Sequence, residues 1–242
     1  MTRTAKTDKA RTDKDRAQRR RIVAILKKPL FWVSLGALLG ALALNNLASA
    51  YTLRNGLLTH IPDALFEVLP FIPYAWPYDV LSLMLIGLLA WQLAKDRPED
   101  APVLIFAMAG MHYIRAFCIF VNPIAPPHGS PDGLFEEIAS SPDMVQGSIP
   151  SGHTMSGVFI AMYLRGPARI IAWCLVVAMM ALMLLARGHY TIDLVIGFIL
   201  GYAAYMFCEH TLRRIKALRG AGKRDCANTT GAFKSKRRLS RS

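Results

Sequence analysis

Long apolar stretches recur along this chain at short intervals, and a stretch that crosses hydrocarbon must satisfy its backbone hydrogen bonds within itself, as a helix does. They run over residues 31–50, 78–94, 102–121, 154–164, 168–186 and 190–207. Six helical spans are therefore predicted, and the expected fold is an all-α polytopic membrane protein. The fourth stretch is short for a hydrocarbon core of ~30 Å and has to begin near Gly152. A hydrophobic share of 53% in 242 residues fits this class better than one or two soluble domains.

Charge then orients the spans. Of 29 Lys and Arg, 11 lie in residues 1–28 and 11 in residues 210–242, so the positive-inside rule puts both termini in the cytoplasm. Lys95, Arg97, Arg165 and Arg169 fall in inner loops on this count, whereas Arg54, Arg115 and Arg187 fall at the outer surface. The outer loops, 51–77 and 122–152, carry Asp63, Glu67, Asp132, Glu136, Glu137 and Asp143. The expected organisation is a basic cytoplasmic tail over 1–28, a six-span catalytic membrane domain over 29–210, and a second basic cytoplasmic tail over 211–242. The basic region ahead of span one is too long for a signal peptide, so that span is expected to be retained.

The tails do not interleave aromatics with base-reading side chains, so nucleic acid is not an expected partner. Anionic lipid headgroups are. Segments 1–22 and 220–242 are polar and basic enough to predict disorder. Four cysteines, Cys118, Cys174, Cys208 and Cys226, have no metal-ligand spacing and form no disulfide framework. The small residues of "GALLGALAL" and "GFILG" predict close helix packing. The loop "HIPDALFEVLPFIPYAWPY", rich in Pro and aromatics, is expected along the membrane interface.

Ionisable groups within or at the ends of spans are costly, so they are read as functional. The topology places His112, Arg115, His153, His189 and Asp193 on the outer side. In "RGHYTID", His189 and Asp193 are four residues apart, which puts them on one helix face a turn apart. A carboxylate there can accept a proton from one imidazole nitrogen and leave the other free as a base or nucleophile. The stretch "PSGHT" puts His153 at the outer start of span four, at the same depth and on the same side. Unpaired N–H groups at a helix start, Ser151 as cap or donor, and Gly152 allowing close approach suit a phosphate. Arg115 and Arg187 supply guanidinium groups for its oxygens. His112 shares a face with Arg115 and could equally bond a neighbouring helix.

"PSGHT" at 150–154 followed by "RGHYTID" at 187–193 resembles the second and third signatures of the type-2 phosphatidic-acid phosphatase superfamily. Six spans with both termini inside is also that superfamily's architecture, and the resemblance covers spans three to six. The first signature of those phosphatases, Lys, six residues and Arg-Pro, is missing here: the one Arg-Pro, Arg97-Pro98, falls on the cytoplasmic side. "IRAFCIFVNPIAPP", with "SGHT" and "HYTID", is instead similar to the sphingomyelin-synthase branch. That branch's Cys-Gly-Asp is replaced by Val145, Gln146 and Gly147, and Pro150 is the phosphatase residue. Loss of the Lys-Arg-Pro site fits a phosphodiester donor, which carries one negative charge where a monoester approaches two.

The resemblance implies covalent phosphoryl transfer with catalytic His153, His189 and Asp193 and substrate-binding Arg115, Arg187, Ser151 and Gly152. His189, oriented by Asp193, attacks phosphorus, and His153 protonates the departing alcohol. No metal and no cofactor is expected. The expected substrates are a phospholipid and a lipid alcohol such as ceramide, with the site on the non-cytoplasmic face. Hydrolysis of phosphatidic-acid-like monoesters is the alternative, and a transporter or scaffold is the non-enzymatic one.

Overall fold

The computed structural model describes residue 13, residues 16–131 and residues 149–239, and of residues 219–239 the backbone alone. Asp132, Glu136, Glu137, Asp143, Val145, Gln146 and Gly147 lie outside the described residues. Among the described residues, six helices of twelve residues or more follow in order: α1 Pro29–Arg54, α2 Trp76–Asp96, α3 Ala101–Val121, α4 Gly152–Tyr163, α5 Pro167–Leu185 and α6 Thr191–Leu239. Four of them, α1, α2, α3 and α5, take proline in the first turn, where the missing N–H has no partner inside the helix anyway. Among the described residues there is no strand, only an isolated bridge between Thr59 and Ile124.

Among the described residues, five helices are long and apolar enough to cross a membrane: α1, α2, α3 with the turn before it, α5, and α6 over Thr191–Leu218. The fourth expected span, α4, is 12 residues, or about 18 Å, and falls short. It starts at Gly152 as expected. It stops because Gly166 sits at φ +58° and Pro167 opens the next helix. Its surroundings explain why a short helix suffices. Met155, Val158, Phe159 and Ala161 are fully buried, so α4 is enclosed by its neighbours instead of facing lipid.

The core forms around α4, where Met155, Val158, Phe159 and Ile160 meet Leu85 of α2, Met111 of α3, Val176, Met179 and Met183 of α5, and Leu194 of α6. Helix α1 packs along α3 and α2 along α5. Large apolar side chains such as Leu47, Phe117, Ile170 and Val177 remain exposed on the outside of the bundle, as suits lipid contact.

Close approach of α4 to α6 depends on two glycines four residues apart. A Cβ at Gly197 would lie 2.9 Å from Ser151 O, and one at Gly201 would collide with Met155 O. In "GALLGALAL" the expectation holds less well. Gly40 is approached by Tyr113 Oη, but nothing lies within 4 Å of a Cβ at Gly36.

Disorder was the expectation for 1–22 and 220–242, but the described parts are helical, from residue 16 to 26 and along α6 to Leu239. Lys, Arg, Ala and Leu are good helix formers and need only a helix to extend. Arg21 pairs with Glu99 at 3.0 Å, and Gln18 donates to Ala94 O at 3.1 Å, which ties the first of these segments to the end of α2.

Candidate active site

Two histidine–carboxylate pairs meet at one end of the bundle. His189 lies in the turn between α5 and α6, and its Nδ1 is 3.2 Å from Oδ2 of Asp193, one helical turn on. That same oxygen accepts the Tyr190 N–H at 3.0 Å, so the carboxylate also anchors the turn that carries the histidine. Oδ1 of Asp193 is buried without a hydrogen-bond partner among the described residues. His153, in the first turn of α4, has its Nε2 2.9 Å from Oδ1 of Asp79, in the first turn of α2. The two imidazole rings are 6.3 Å apart, centre to centre, and inclined at 66°.

Exposure divides the roles within each pair. The side chains of Asp79 and Asp193 are 2% and 0% exposed, whereas those of His153 and His189 keep 24% and 11%. The imidazoles can meet a ligand while the carboxylates can only act through them. Burial outweighs the carboxylate beside it and lowers the His189 pKa below the ordinary imidazole value. With Nδ1 committed to Asp193, Nε2 is then the unprotonated nitrogen at neutral pH.

The segment Pro150–Gly152 is fixed from three sides. Ser151 caps α4, its Oγ accepting from Thr154 N at 3.3 Å, and its N–H donates to Asp193 O at 3.2 Å. Arg115 of α3 donates from Nε to Pro150 O at 2.9 Å and from Nη1 to Asn45 Oδ1 of α1 at 3.4 Å. A Cβ at Gly152 would lie 3.5 Å from Arg115 Nε, so the backbone passes directly over the guanidinium. Tyr78 closes one side, edge-on to His153 at 5.5 Å.

Six of the seven expected residues, Arg115, Ser151, Gly152, His153, His189 and Asp193, therefore come together. Arg187 takes a different position. It occupies φ +52° at the end of α5, donates to Phe66 O at 3.2 Å, and lies over the rings of Phe66 and Phe71 at 5.6 and 5.1 Å. In this structure it holds the loop between α1 and α2 against the site. The same loop sends Asp63 to the N-terminus of α6, where it accepts from Thr191 N at 2.6 Å and Thr191 Oγ1 at 3.1 Å.

Asp79, Asn45 and Asp63 are the site residues that sequence reading missed. The rule that singled out His153 also covers Asp79 and Asn45, since "WPYDVL" and "ALNNLA" put polar side chains inside apolar spans. Asp63 gave no such signal, because an acidic loop residue is ordinary until its partner is known. His112 sits on α3 with its Nδ1 buried and without a hydrogen-bond partner among the described residues, and its carbonyl accepts from Asn45 Nδ2 at 3.2 Å. Among the described residues, no three His, Cys, Asp or Glu side chains are grouped to hold a metal ion.

Residues 148–211 match a family model described as the C-terminal part of the PAP2 superfamily. The match spans about a quarter of the chain and takes in both histidines, both signatures and the crossing of α4 with α6. It supports a lipid phosphatase or phosphotransferase type of chemistry. No curated protein matches the chain.

Proposed function

We propose that this is an integral membrane phosphotransferase that moves a phosphocholine- or phosphoethanolamine-like headgroup from a phospholipid to a lipid alcohol such as ceramide, through a phosphohistidine at His189. The observation that carries the proposal is the facing pair of histidines, 6.3 Å apart, each backed by its own buried carboxylate. One histidine suffices for a nucleophile or for a base, but a two-step transfer needs both at once.

In the first step Nε2 of His189 attacks phosphorus, a nitrogen–phosphorus bond forms, and the bond from phosphorus to the glycerol oxygen breaks. His153 gives the departing oxygen its proton. Asp79 accepts from Nε2–H of His153, which leaves Nδ1 as the nitrogen that exchanges a proton with substrate. In the second step His153 takes the proton of the acceptor hydroxyl, its oxygen attacks phosphorus, and His189 is released. Arg115 and the N–H groups at the start of α4 hold the phosphoryl oxygens as charge builds. Arg187 joins them if the loop holding it yields on binding.

Six spans, both termini in the cytoplasm and a site open on the non-cytoplasmic face complete the reading, with the basic tails resting on anionic lipids. The Lys and Arg distribution supports this orientation, and enclosure of α4 within the bundle accounts for its length. Pro150 favours a second reading, a phosphatase acting on phosphatidic-acid-like monoesters, in which water takes the place of the acceptor alcohol.

Purified protein given headgroup-labelled phospholipid with and without ceramide or diacylglycerol tests the proposal. Label passing to the added alcohol supports transfer. Label appearing only as free phosphate from a monoester favours the phosphatase, and no label released from any lipid leaves a transporter or scaffold.

A further inference from the structure

The short α4 leaves a recess at the end of the bundle opposite the histidines. Its cavity of about 140 Å³ is lined by Gln92, Asp96 and Arg97 at the end of α2, with Tyr163 and Arg165 at the end of α4. The geometry points to this recess as a second anion site, separate from the catalytic one, that takes a single phosphate group.

Charge is the first argument. Two arginines and one aspartate are among the five lining residues, and guanidinium groups bind phosphate oxygens in a bidentate way. The nearest buried carboxylate does not oppose an anion, because Asp100 is already engaged by Tyr163 Oη at 3.2 Å and Lys216 Nζ at 3.2 Å. The wall is also preformed. Gln92 donates to Arg165 O at 3.3 Å and accepts from Arg165 N at 3.1 Å, which fixes the backbone of Arg165 by two hydrogen bonds. Size sets the ligand: ~300–1,000 Å³ is usual for a drug-sized molecule, so this cavity suits one phosphate group and not a whole nucleotide.

About 18 Å of helix, the length of α4, separates Arg165 from His153. A phosphate here is therefore not a substrate in waiting. The same chemistry is offered by a lipid phosphate in the leaflet on that side and by a free phosphate compound, and the two can be told apart.

The test uses full-length protein in phosphatidylcholine nanodiscs, titrated with inorganic phosphate, alongside nanodiscs doped with phosphatidic acid whose retention through purification is measured by lipid mass spectrometry. The double variant R97Q/R165Q is expected to weaken phosphate binding, or cut phosphatidic-acid retention, at least tenfold. Because Arg165 is exposed, Arg165→Gln alone provides a folded comparison and should lose several-fold. Retention of phosphatidic acid marks the lipid as the source, and phosphate binding without retention marks a soluble anion. If Arg115→Gln abolishes binding while R97Q/R165Q leaves it intact, the phosphate sits at the histidines and the recess is not a site. Binding equal in wild type and R97Q/R165Q overturns the inference equally.

Discussion

His153 and Asp79 are 2.9 Å apart, although 74 residues separate them in sequence, and the contact joins the first turn of α4 to the first turn of α2. It makes the site a pair of pairs, since His189 has the same kind of partner in Asp193. The difference lies in sequence distance. His189 and its carboxylate belong to one helical turn, whereas His153 depends on packing between two helices to be oriented at all.

Asp79→Asn should therefore lower kcat without removing either histidine. The amide can still accept through its oxygen, but it no longer stabilises an imidazolium on His153. A loss of roughly tenfold to a thousandfold is expected, within the range for impaired general acid–base catalysis. Steady-state kinetics on labelled phospholipid checks this, and the signature is a changed pH profile with KM little altered. An unchanged profile would reduce Asp79 to a packing residue.

His189→Ala should abolish turnover and, with it, any acid-labile, base-stable phosphorylated intermediate. His153→Ala should slow turnover by about 10²- to 10⁴-fold while still allowing some intermediate to form. Rapid quench with phosphorus-labelled lipid, followed by peptide mapping, separates the two. Label on any residue other than His189 would assign the nucleophile elsewhere.

How much of this was legible in the sequence depends on the range of the interaction. His189 and Asp193 could be paired from their spacing, because four residues on a helix bring two side chains to one face whatever the rest of the chain does. The shared depth of His153 and His189 followed from alternating spans. The partner of His153 did not follow, since nothing in local spacing tells which helix packs beside α4. Arg187 illustrates the opposite failure. Its position in sequence suggested a phosphate ligand, but its direction is set by the left-handed backbone at the end of α5 and by the aromatic rings of Phe66 and Phe71, which lie in another loop. The limits of α4 could be read from Gly166 and Pro167, but its enclosure by four other helices could not.

The acidic limb of activity should lie below the ordinary histidine range. Burial lowers the His189 pKa in the folded protein, so Nε2 stays unprotonated to a more acidic pH than a free imidazole near 6.5. The same shift affects stability. Between the unfolded value and the lower folded one, the unfolded chain binds more protons, so stability falls as pH drops through that window. A pH series of melting temperatures on wild type and His189→Gln checks the sign: the wild type should lose more stability on acidification below about 6.5.

Gly201→Ala should damage the protein out of proportion to one methyl group. The added Cβ would collide with Met155 O and force α4 away from α6, and these helices carry His153 and Asp193. Overpacking of this kind costs about 1–3 kcal/mol. Gly36→Ala is the control, since nothing lies within 4 Å of its Cβ and alanine is the better helix former. A lowered melting temperature and activity for Gly201→Ala, with neither for Gly36→Ala, is the expected result.

Asp63 ties the loop between α1 and α2 to the start of α6. It accepts both the N–H and the hydroxyl of Thr191, the first residue of α6, two positions beyond His189. Helix starts lacking such an acceptor lose about 0.5–2 kcal/mol, so Asp63→Ala should lower the melting temperature by a modest amount. Because the turn 188–191 carries His189, the proposed nucleophile, the same change should lower kcat as His189 loses its fixed direction. Asp63→Asn keeps an oxygen able to cap the helix and should recover most of the stability. If Asn also recovers kcat, Asp63 acts through geometry; if kcat stays low while the melting temperature returns, the negative charge itself is required near the phosphoryl-transfer site.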